Sequence, residues 1–258
     1  MKMQSLTLFG NPSSVHLKQW TALMGKEWPI RIWHAEQELL PEALAAERGF
    51  NWSLPLPRML RYAAAGVVAR WLLRKNRKTL VHGHNASGYG LMAALSGRPY
   101  LITVYGTEIY SMPERGLVYR WLMGKILDGA VGISTSSLQM KAHLSEISPR
   151  LANKISHFSW GVDTQIFAPG SASRNGGQTS KAYGFDDCER PVFFVNRRIT
   201  PHYRTAELVN GFLAYKAGGG RGTLALLKGD ATKACALAVL MIRPQRRAFI
   251  CGTTARVA

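Results

Sequence analysis

The sequence predicts an α/β fold, a doubly wound parallel sheet followed by the beginning of a second, incomplete unit of the same kind. Three observations predict it. Short β-rich runs alternate with longer amphipathic runs from Ser5 to Phe158. Several short runs are apolar almost throughout, Tyr100-Leu101-Ile102-Thr103-Val104 being the clearest, as in strands covered on both faces. The alternation stops in a polar stretch and then restarts. Strands that alternate with helices form right-handed βαβ units, and these build a parallel, Rossmann-like sheet.

The expected strands are Ser5–Phe9, Pro29–His34, Thr79–Gly83, Pro99–Tyr105, Ala130–Ser134 and Lys154–Phe158. Between them, the 3.6-residue spacing of apolar positions predicts helices over Val15–Met24, Glu36–Arg48, Pro57–Lys75, Ser87–Leu95, Glu114–Leu127 and Ser136–Glu146. Gly25 is placed to stop the first helix, and Ser136 or Ser137 to cap the last. Residues Pro169 to Gly184 read PGSASRNGGQTSKAYG, a linker composition without periodicity. Beyond it come a strand at Pro191–Val195, a helix at Thr205–Ala217, a strand at Thr223–Leu227 and a turn at Gly229-Asp230. The expected division is therefore 1–168 for the first domain, 169–190 for a linker and 191–232 for the start of a second. Residues 233–258 hold five basic residues, no acidic ones and no clear alternation. Either the reading frame changes or the gene is truncated shortly after Asp230, or this is an unusual native tail.

Composition narrows the function classes. At 47% hydrophobic and 19% charged residues, 258 residues are not a disordered chain, and no repeat is visible. Cys188, Cys235 and Cys251 are odd in number and lack metal-ligand spacing, which points to reduced thiols in a cytoplasm. The apolar start, Leu6 to Phe9, is too short for a signal-peptide core, and Tyr62 to Leu73 is interrupted by Arg70 and too short for a membrane span. Lys and Arg outnumber Asp and Glu by 33 to 15, a net charge of +18, which admits anionic partners. The basic residues are scattered, with no nucleic-acid-binding motif, so no specific nucleic-acid partner is expected.

Four local patterns carry chemistry. Gly10 and Asn11 follow the first strand and open a helix, where backbone N–H groups can approach an anion. His84 and Asn85 end the third strand, at the sheet edge where such folds bind ligands. His82, two residues earlier on the same strand face, reads as a packed core histidine, and no metal site is expected. Tyr105-Gly106-Thr107-Glu108 ends the fourth strand; Glu108 fits either an acceptor contact or a first-turn helix acid. Trp160-Gly161-Val162-Asp163 pairs with Asn196-Arg197-Arg198 across the linker, where only one of the two arginines can face a cleft.

Taken in order, HGHNASGYG, YGTEIY, ISTSSLQMKAHL, FSWGVDTQIFAP, VFFVNRRITP and LLKGDA resemble glycosyltransferase family 4, retaining enzymes of the GT-B fold with two Rossmann-like domains facing a cleft. The phrase Gly161 to Phe167 is the most specific. The resemblance covers roughly residues 1 to 232. It implies a nucleotide-sugar donor, a glycan or lipid-linked acceptor in polysaccharide biosynthesis, and no cofactor. It places Gly10, Asn11, Arg198 and Arg204 at the donor diphosphate, with His84, Asn85, Tyr105, Gly106, Thr107 and Glu108 on the acceptor side. Tyr105 stands where the family often has His, and no Glu follows Glu207, so the family's paired donor-gripping glutamates are absent. The expectation is thus a glycosyltransferase by descent, inactive if truncated. Its alternatives are a non-catalytic glycan- or phosphate-binding module and a basic nucleic-acid-binding protein. The run Pro57–Lys78, with seven cations from Arg58 to Lys78 and Trp71 among them, fits the surface of an anionic membrane. That implies peripheral attachment at the inner face of the plasma membrane; an ordinary sheet-packed helix explains it as well.

Overall fold

The computed structural model describes residues 5–35, 50–51, 55–162, 164, 190–197, 199, 203–228, 238–243 and 246–251. The chain divides into two compact units, Met1–Gly161 and Val162–Ala258. In the first, seven strands lie in the order β3-β2-β1-β4-β5-β6-β7, and every pairing is parallel. They are β1 (Ser5–Phe9), β2 (Ile30–His34), β3 (Phe50–Asn51), β4 (Thr79–His84), β5 (Tyr100–Val104), β6 (Gly132–Thr135) and β7 (Ile155–His157). Six coincide with the predicted strands. The seventh, β3, is only two residues long, pairing Trp33 with Phe50 and His34 with Asn51, too short to carry a period of its own.

The helices are α1 (Val15–Met24), α2 (Arg58–Leu73), α3 (Gly88–Leu95), α4 (Thr107–Tyr110), α5 (Gly116–Gly129) and α6 (Leu138–Ile147). The predicted helix Glu36–Arg48 lies outside the described residues. The expected helix from Glu114 is interrupted: Pro113–Arg115 form one 3-10 turn, and the chain breaks at φ 78° on Gly116, where α5 starts. Ser137 is the residue that caps α6, its hydroxyl accepting from the Met140 N–H at 3.3 Å.

The two faces of the sheet bury different things. Phe9, Val81, Ile102, Val104 and Ile133 meet Tyr62, Ala65 and Ala69 of α2, Met92 of α3, Ile126 and Leu127 of α5, and Leu144 of α6. The opposite face is smaller: Leu6, Leu8 and Ile32 pack on Leu17 of α1. Alternation along β1 and β4 therefore sends Leu8 and His82 to the α1 side while Phe9 and Val81 face the larger core. Close approach of α2 and α3 sets the geometry of that larger core. A Cβ at Gly88 would lie 2.5 Å from the Tyr62 ring, and one at Gly66 would lie 2.8 Å from Leu95 Cβ.

The second unit holds a four-stranded sheet in the order β11-β10-β9-β8. β8 (Val192–Val195) and β9 (Thr223–Lys228) are parallel and joined by α7 (Thr205–Ala217), a βαβ unit whose apolar contacts come from Phe212, Leu224 and Leu226. After Lys233 the sequence shows no clear alternation, and two strands lie there. Ala238–Arg243 (β10) and Arg246–Cys251 (β11) form an antiparallel hairpin on the β9 edge. Its strands are apolar runs without alternation, AVLMIR and RRAFIC, the pattern most easily missed by periodicity.

Gly88→Ala is expected to destabilise the first unit by about 2 kcal/mol, because the methyl overpacks against Tyr62. Gly124→Ala, where a Cβ meets nothing within 4 Å in mid-helix, is expected to be neutral or stabilising by up to about 1 kcal/mol. Urea denaturation followed by helical circular dichroism checks both, and equal effects would refute the packing argument.

Candidate functional site

The strand order reverses direction between β1 and β4: the chain leaves β1 toward β2 on one side and β4 toward β5 on the other. At such a switch point the helices diverge and a crevice opens at the carboxyl ends of the strands. Here it is a cleft of about 290 Å³, lined by Asn11, Ser14, His16, Leu17, Arg58, Tyr62, His84, Asn85, Ser87, Gly88, Tyr89 and Tyr105. All belong to the first unit. None of these lining residues is an Asp or Glu.

Each wall has a local cause. After β1, Gly10 gives its N–H to the Trp33 carbonyl, and Asn11 folds the turn by accepting from the Ser13 N–H at 2.8 Å. A Cβ at Gly10 would lie 3.1 Å from both His84 Cβ and Leu17 Cδ1, so glycine lets the β1 turn and the end of β4 approach without displacing either neighbour. After β4, Asn85 adopts φ 100° and its side-chain oxygen accepts the Ser87 N–H at 2.7 Å, which suits a residue type that tolerates the left-handed region. After β5, Gly106 at φ 123° turns the chain into α4, a conformation that only glycine takes without strain.

Glu108 fixes these turns to one another. It is buried in the first turn of α4, and its carboxylate accepts the Tyr105 N–H at 3.0 Å and the Ala86 N–H at 3.4 Å. The chain bends after β4 and β5 are thereby tied together through a charge-assisted bond. Of the two readings of Glu108, its contacts are those of a bracing group, and it does not line the cleft.

His84 is 95% buried, with Nδ1 2.8 Å from the Tyr105 hydroxyl and no partner at Nε2 among the described residues. His82 is fully buried one pleat away, its Nε2 2.7 Å from Thr103 Oγ1, which in turn meets Ser134 Oγ at 2.7 Å. It packs in the core, as expected. Burial pushes the His82 imidazole down to about 3, and holds His84 well below its ordinary value, with the charges of His82 and His16 acting the same way. Burial also pushes the Tyr105 phenol up, reinforced by the Glu108 carboxylate. At neutral pH His84 and Tyr105 are therefore neutral hydrogen-bonding groups. Tyr105 stacks nearly parallel on Trp160 at 6.0 Å, and His16 contacts both rings at 5.0 and 4.7 Å. Trp20 closes the other side, edge-on to His82 and His84.

Of the residues singled out in the sequence, Asn11, His84, Asn85 and Tyr105 line one cleft, with Gly10 in its floor through contact with His84. Gly106, Thr107 and Glu108 stand behind it. Arg204 lies in the second unit at the start of α7, in a left-handed conformation with Nε 3.0 Å from Glu207. Arg198 lies outside the described residues. Sequence reasoning missed His16 and Tyr62, held Ser14 and Ser87 only as members of the turns around Gly10 and Asn85, and assigned Arg58 only to a basic helix face. The available signal for Arg58 was its position immediately after Pro57, which marks the start of a helix. Among the described residues, no group of three or more His, Cys, Asp or Glu is placed to hold a metal ion.

A family model described as a glycosyl transferase 4-like domain matches residues 14–155. No curated protein matches the chain. Among solved structures, a glycosyltransferase from Rickettsia africae ESF-5 aligns with a TM-score of 0.51 at 14% identity, over 78% of this chain and 54% of that one. HepE of Anabaena, solved in complex with UDP and glucose, aligns with a TM-score of 0.52 at 12% identity, over 77% and 54%. At these identities the likeness is one of fold. The chain spans about half the length of these structures.

His82 generates a pH prediction. Its folded value near 3 lies below the ordinary 6.5, so between those limits the unfolded chain binds the extra proton. Stability is fully present above about 6.5 and falls as pH goes down toward 3. His82→Gln removes the titration but keeps a polar partner for Thr103. Urea midpoints at pH 7.5 and pH 5 should separate less for His82→Gln than for the parent chain, and an equal separation would contradict this account.

Proposed function

The chain belongs to the glycosyl transferase 4-like family, and on that premise we propose that it transfers a sugar from a nucleotide-activated donor to a hydroxyl of a glycan or lipid-linked acceptor, as a retaining enzyme. The observation that carries this reading is the cleft at the β1/β4 switch point, whose lining residues other than Asn11 fall within the matched stretch and which has polar but uncharged groups at its base. In the proposed reaction the glycosyl–phosphate bond breaks with its electron pair going to the diphosphate. The acceptor oxygen forms the new bond on the same face of the sugar, and its proton passes to a diphosphate oxygen. The turn at Gly10 and Asn11 is assigned to the diphosphate, with the Asn11 N–H and amide as its donors as charge grows there, since the Gly10 N–H is engaged by the Trp33 carbonyl. By the resemblance, Arg198 supplies the cationic fork, with Arg204 nearby. His84, Asn85 and Tyr105 are assigned to acceptor hydroxyls, which neutral imidazole, amide and phenol groups recognise without a charge to desolvate.

No Glu follows Glu207 in these 258 residues, so the paired glutamates that the resemblance assigns to the donor sugar and ribose are not among them. Donor binding by this chain is accordingly proposed to be weak and turnover absent or slow. Calorimetric titration with UDP and GDP should show weak binding of one of them, reduced about tenfold further by Arg198→Gln, as expected for a lost charge-assisted contact. A radiolabelled transfer screen with several nucleotide sugars gives the complementary result. Robust turnover by the 258-residue chain would overturn the inactivity, and absence of any nucleotide binding would count against the donor assignment.

The surface favours a membrane as the place of action. On α2, Leu60, Val67 and Trp71 are exposed beside Arg70 and Arg74, and Arg74 lies over the Trp71 ring at 4.9 Å. On α5, Leu117 and Val118 are about four-fifths exposed and Trp121 is also exposed, beside Arg115 and Arg120. Apolar side chains framed by cations suit an anionic bilayer surface. No described helix is long and apolar enough to cross one. Flotation with vesicles containing phosphatidylglycerol should carry the chain upward at low salt and release it at high salt, and Trp71→Ser with Trp121→Ser should weaken it. Equal flotation with neutral vesicles, or none at all, would discard the membrane site.

A further inference from the structure

A group of aromatic rings adjoins the cleft. His16 of α1 and Tyr105 after β5 line it, and Trp160 after β7 joins them. Tyr105 and Trp160 are parallel to within 7° with centroids 6.0 Å apart. His16 lies 5.0 Å from the first ring and 4.7 Å from the second. The group is held in place by its neighbours: Phe158 meets Trp160 edge-on at 5.8 Å, and the Tyr105 hydroxyl is 2.8 Å from His84 Nδ1. Rings already fixed lose little freedom when a ligand covers them. Yet His16 is exposed, and Tyr105 and Trp160 are only half-buried. The cleft's other aromatic pair is different. Tyr62 and Tyr89 meet edge-on at 5.0 Å and are closed off in the core, at 1% and 5% exposure. Ring surface therefore remains accessible in the first group and not in the second. Neutral hydrogen-bonding groups stand in the same cleft, on Ser14, Asn85, Ser87 and Tyr105.

Resting on the assignment of this unit to the acceptor, we propose that Trp160, His16 and the Tyr105 ring form a platform on which a pyranose ring of the acceptor stacks. Accessible aromatic rings beside hydroxyl and amide groups match a ligand with the same two characters. A pyranose has both: its axial C–H groups make an apolar face, and its hydroxyls make a polar rim. C–H groups laid on an aromatic face lose contact with water and gain a weak electrostatic attraction. The rim is then served by Asn85, Ser14 and Ser87. A polyprenyl chain would cover the rings but leave those polar groups without partners, and a bare phosphate would make no use of the rings. The part of the acceptor recognised here is thus a sugar ring, and Trp160 extends its site beyond the residues that line the cleft.

The test is saturation-transfer NMR of the full chain with methyl β-glucoside, methyl β-galactoside and methyl α-mannoside. Sorbitol supplies hydroxyls without a ring, and cyclohexanol a ring without the set of hydroxyls. At least one pyranoside should bind about fivefold more tightly than either control, with saturation concentrated on the ring protons of one face. Trp160→Leu keeps apolar bulk without an aromatic face and should weaken that pyranoside about fivefold, whereas Trp160→Phe should recover most of the loss. Both variants should melt within about 2 °C of the parent, since the ring is only half-buried. His16→Ala, at an exposed position, should weaken binding about twofold and decides the matter if Trp160→Leu also melts early. The proposal is overturned if no pyranoside binds more tightly than the controls, or if Trp160→Leu and His16→Ala both match the parent. A lower melting temperature in Trp160→Leu with unchanged affinity would mark the stack as packing only and equally overturn it. UDP is titrated in parallel. UDP binding without pyranoside binding removes the platform and leaves the transfer reading standing. Pyranoside binding through Trp160 with no nucleotide binding would sustain the platform and defeat the nucleotide-sugar reading. If UDP displaces the pyranoside and Trp160→Leu weakens both alike, the rings hold the nucleotide base and the proposal falls.

Discussion

Pairing of β1 with β4 in the middle of a parallel sheet dictates the rest of the first unit. The register sets Leu8 beside His82 and Phe9 beside Gly83, so the residues that follow, Gly10 and His84, emerge as neighbours. From there the chain must travel in opposite directions, because β2 lies on one side and β5 on the other. Helices that diverge cannot cover the gap between them, and their N-termini are left at its rim. Cleft, glycine and helix ends are one topological consequence.

The sheet has unlike sides, and the difference matters for chemistry. Toward α2, α3, α5 and α6 it presents Val, Ile and Phe to a dry core. Toward α1 it presents His82, Thr103 and Ser134 in a hydrogen-bonded row ending near Trp20. Polar groups inside a protein are tolerated when they are paired and uncharged. Burial keeps both imidazoles neutral, so the cleft floor contributes dipoles in place of competing cations, and Arg58 is its one full positive charge among the lining residues. Glu108 supports this arrangement from behind, placing its charge on two backbone N–H groups outside the cavity.

Much of this was legible in the sequence. Continuous apolar runs and helical spacing located six of the seven strands of the first sheet and the β8–α7–β9 unit, because those elements bury whole faces and therefore impose a period. Phe50–Asn51 was invisible since two residues carry no period, and the 238–251 hairpin since its apolar runs lack alternation. In the cleft, His84, Asn85 and Tyr105 were legible because they sit at strand ends, where position in sequence fixes position on the sheet edge. Arg58 and Tyr62 reach the same cavity from a helix far away in sequence, and only the packing of α2 on α3, through Gly66 and Gly88, brings them there. Contacts of that kind leave no local trace. The roles of Gly106 and Glu108 were legible in kind: a glycine at a sharp turn and an acid at a helix start.

The stack of Trp160 on Tyr105 and His16 has an optical consequence. An indole in contact with an imidazole loses fluorescence when the imidazole gains a proton, and His16 is only partly enclosed, its affinity for protons lowered by burial. Trp20, edge-on to His82 and His84, faces two rings that stay neutral well below physiological pH. In variants that keep only Trp160 or only Trp20 of the seven tryptophans, emission from Trp160 should therefore dim under mild acid while emission from Trp20 holds steady, so that luminescence tells the two aromatic clusters apart without any added dye.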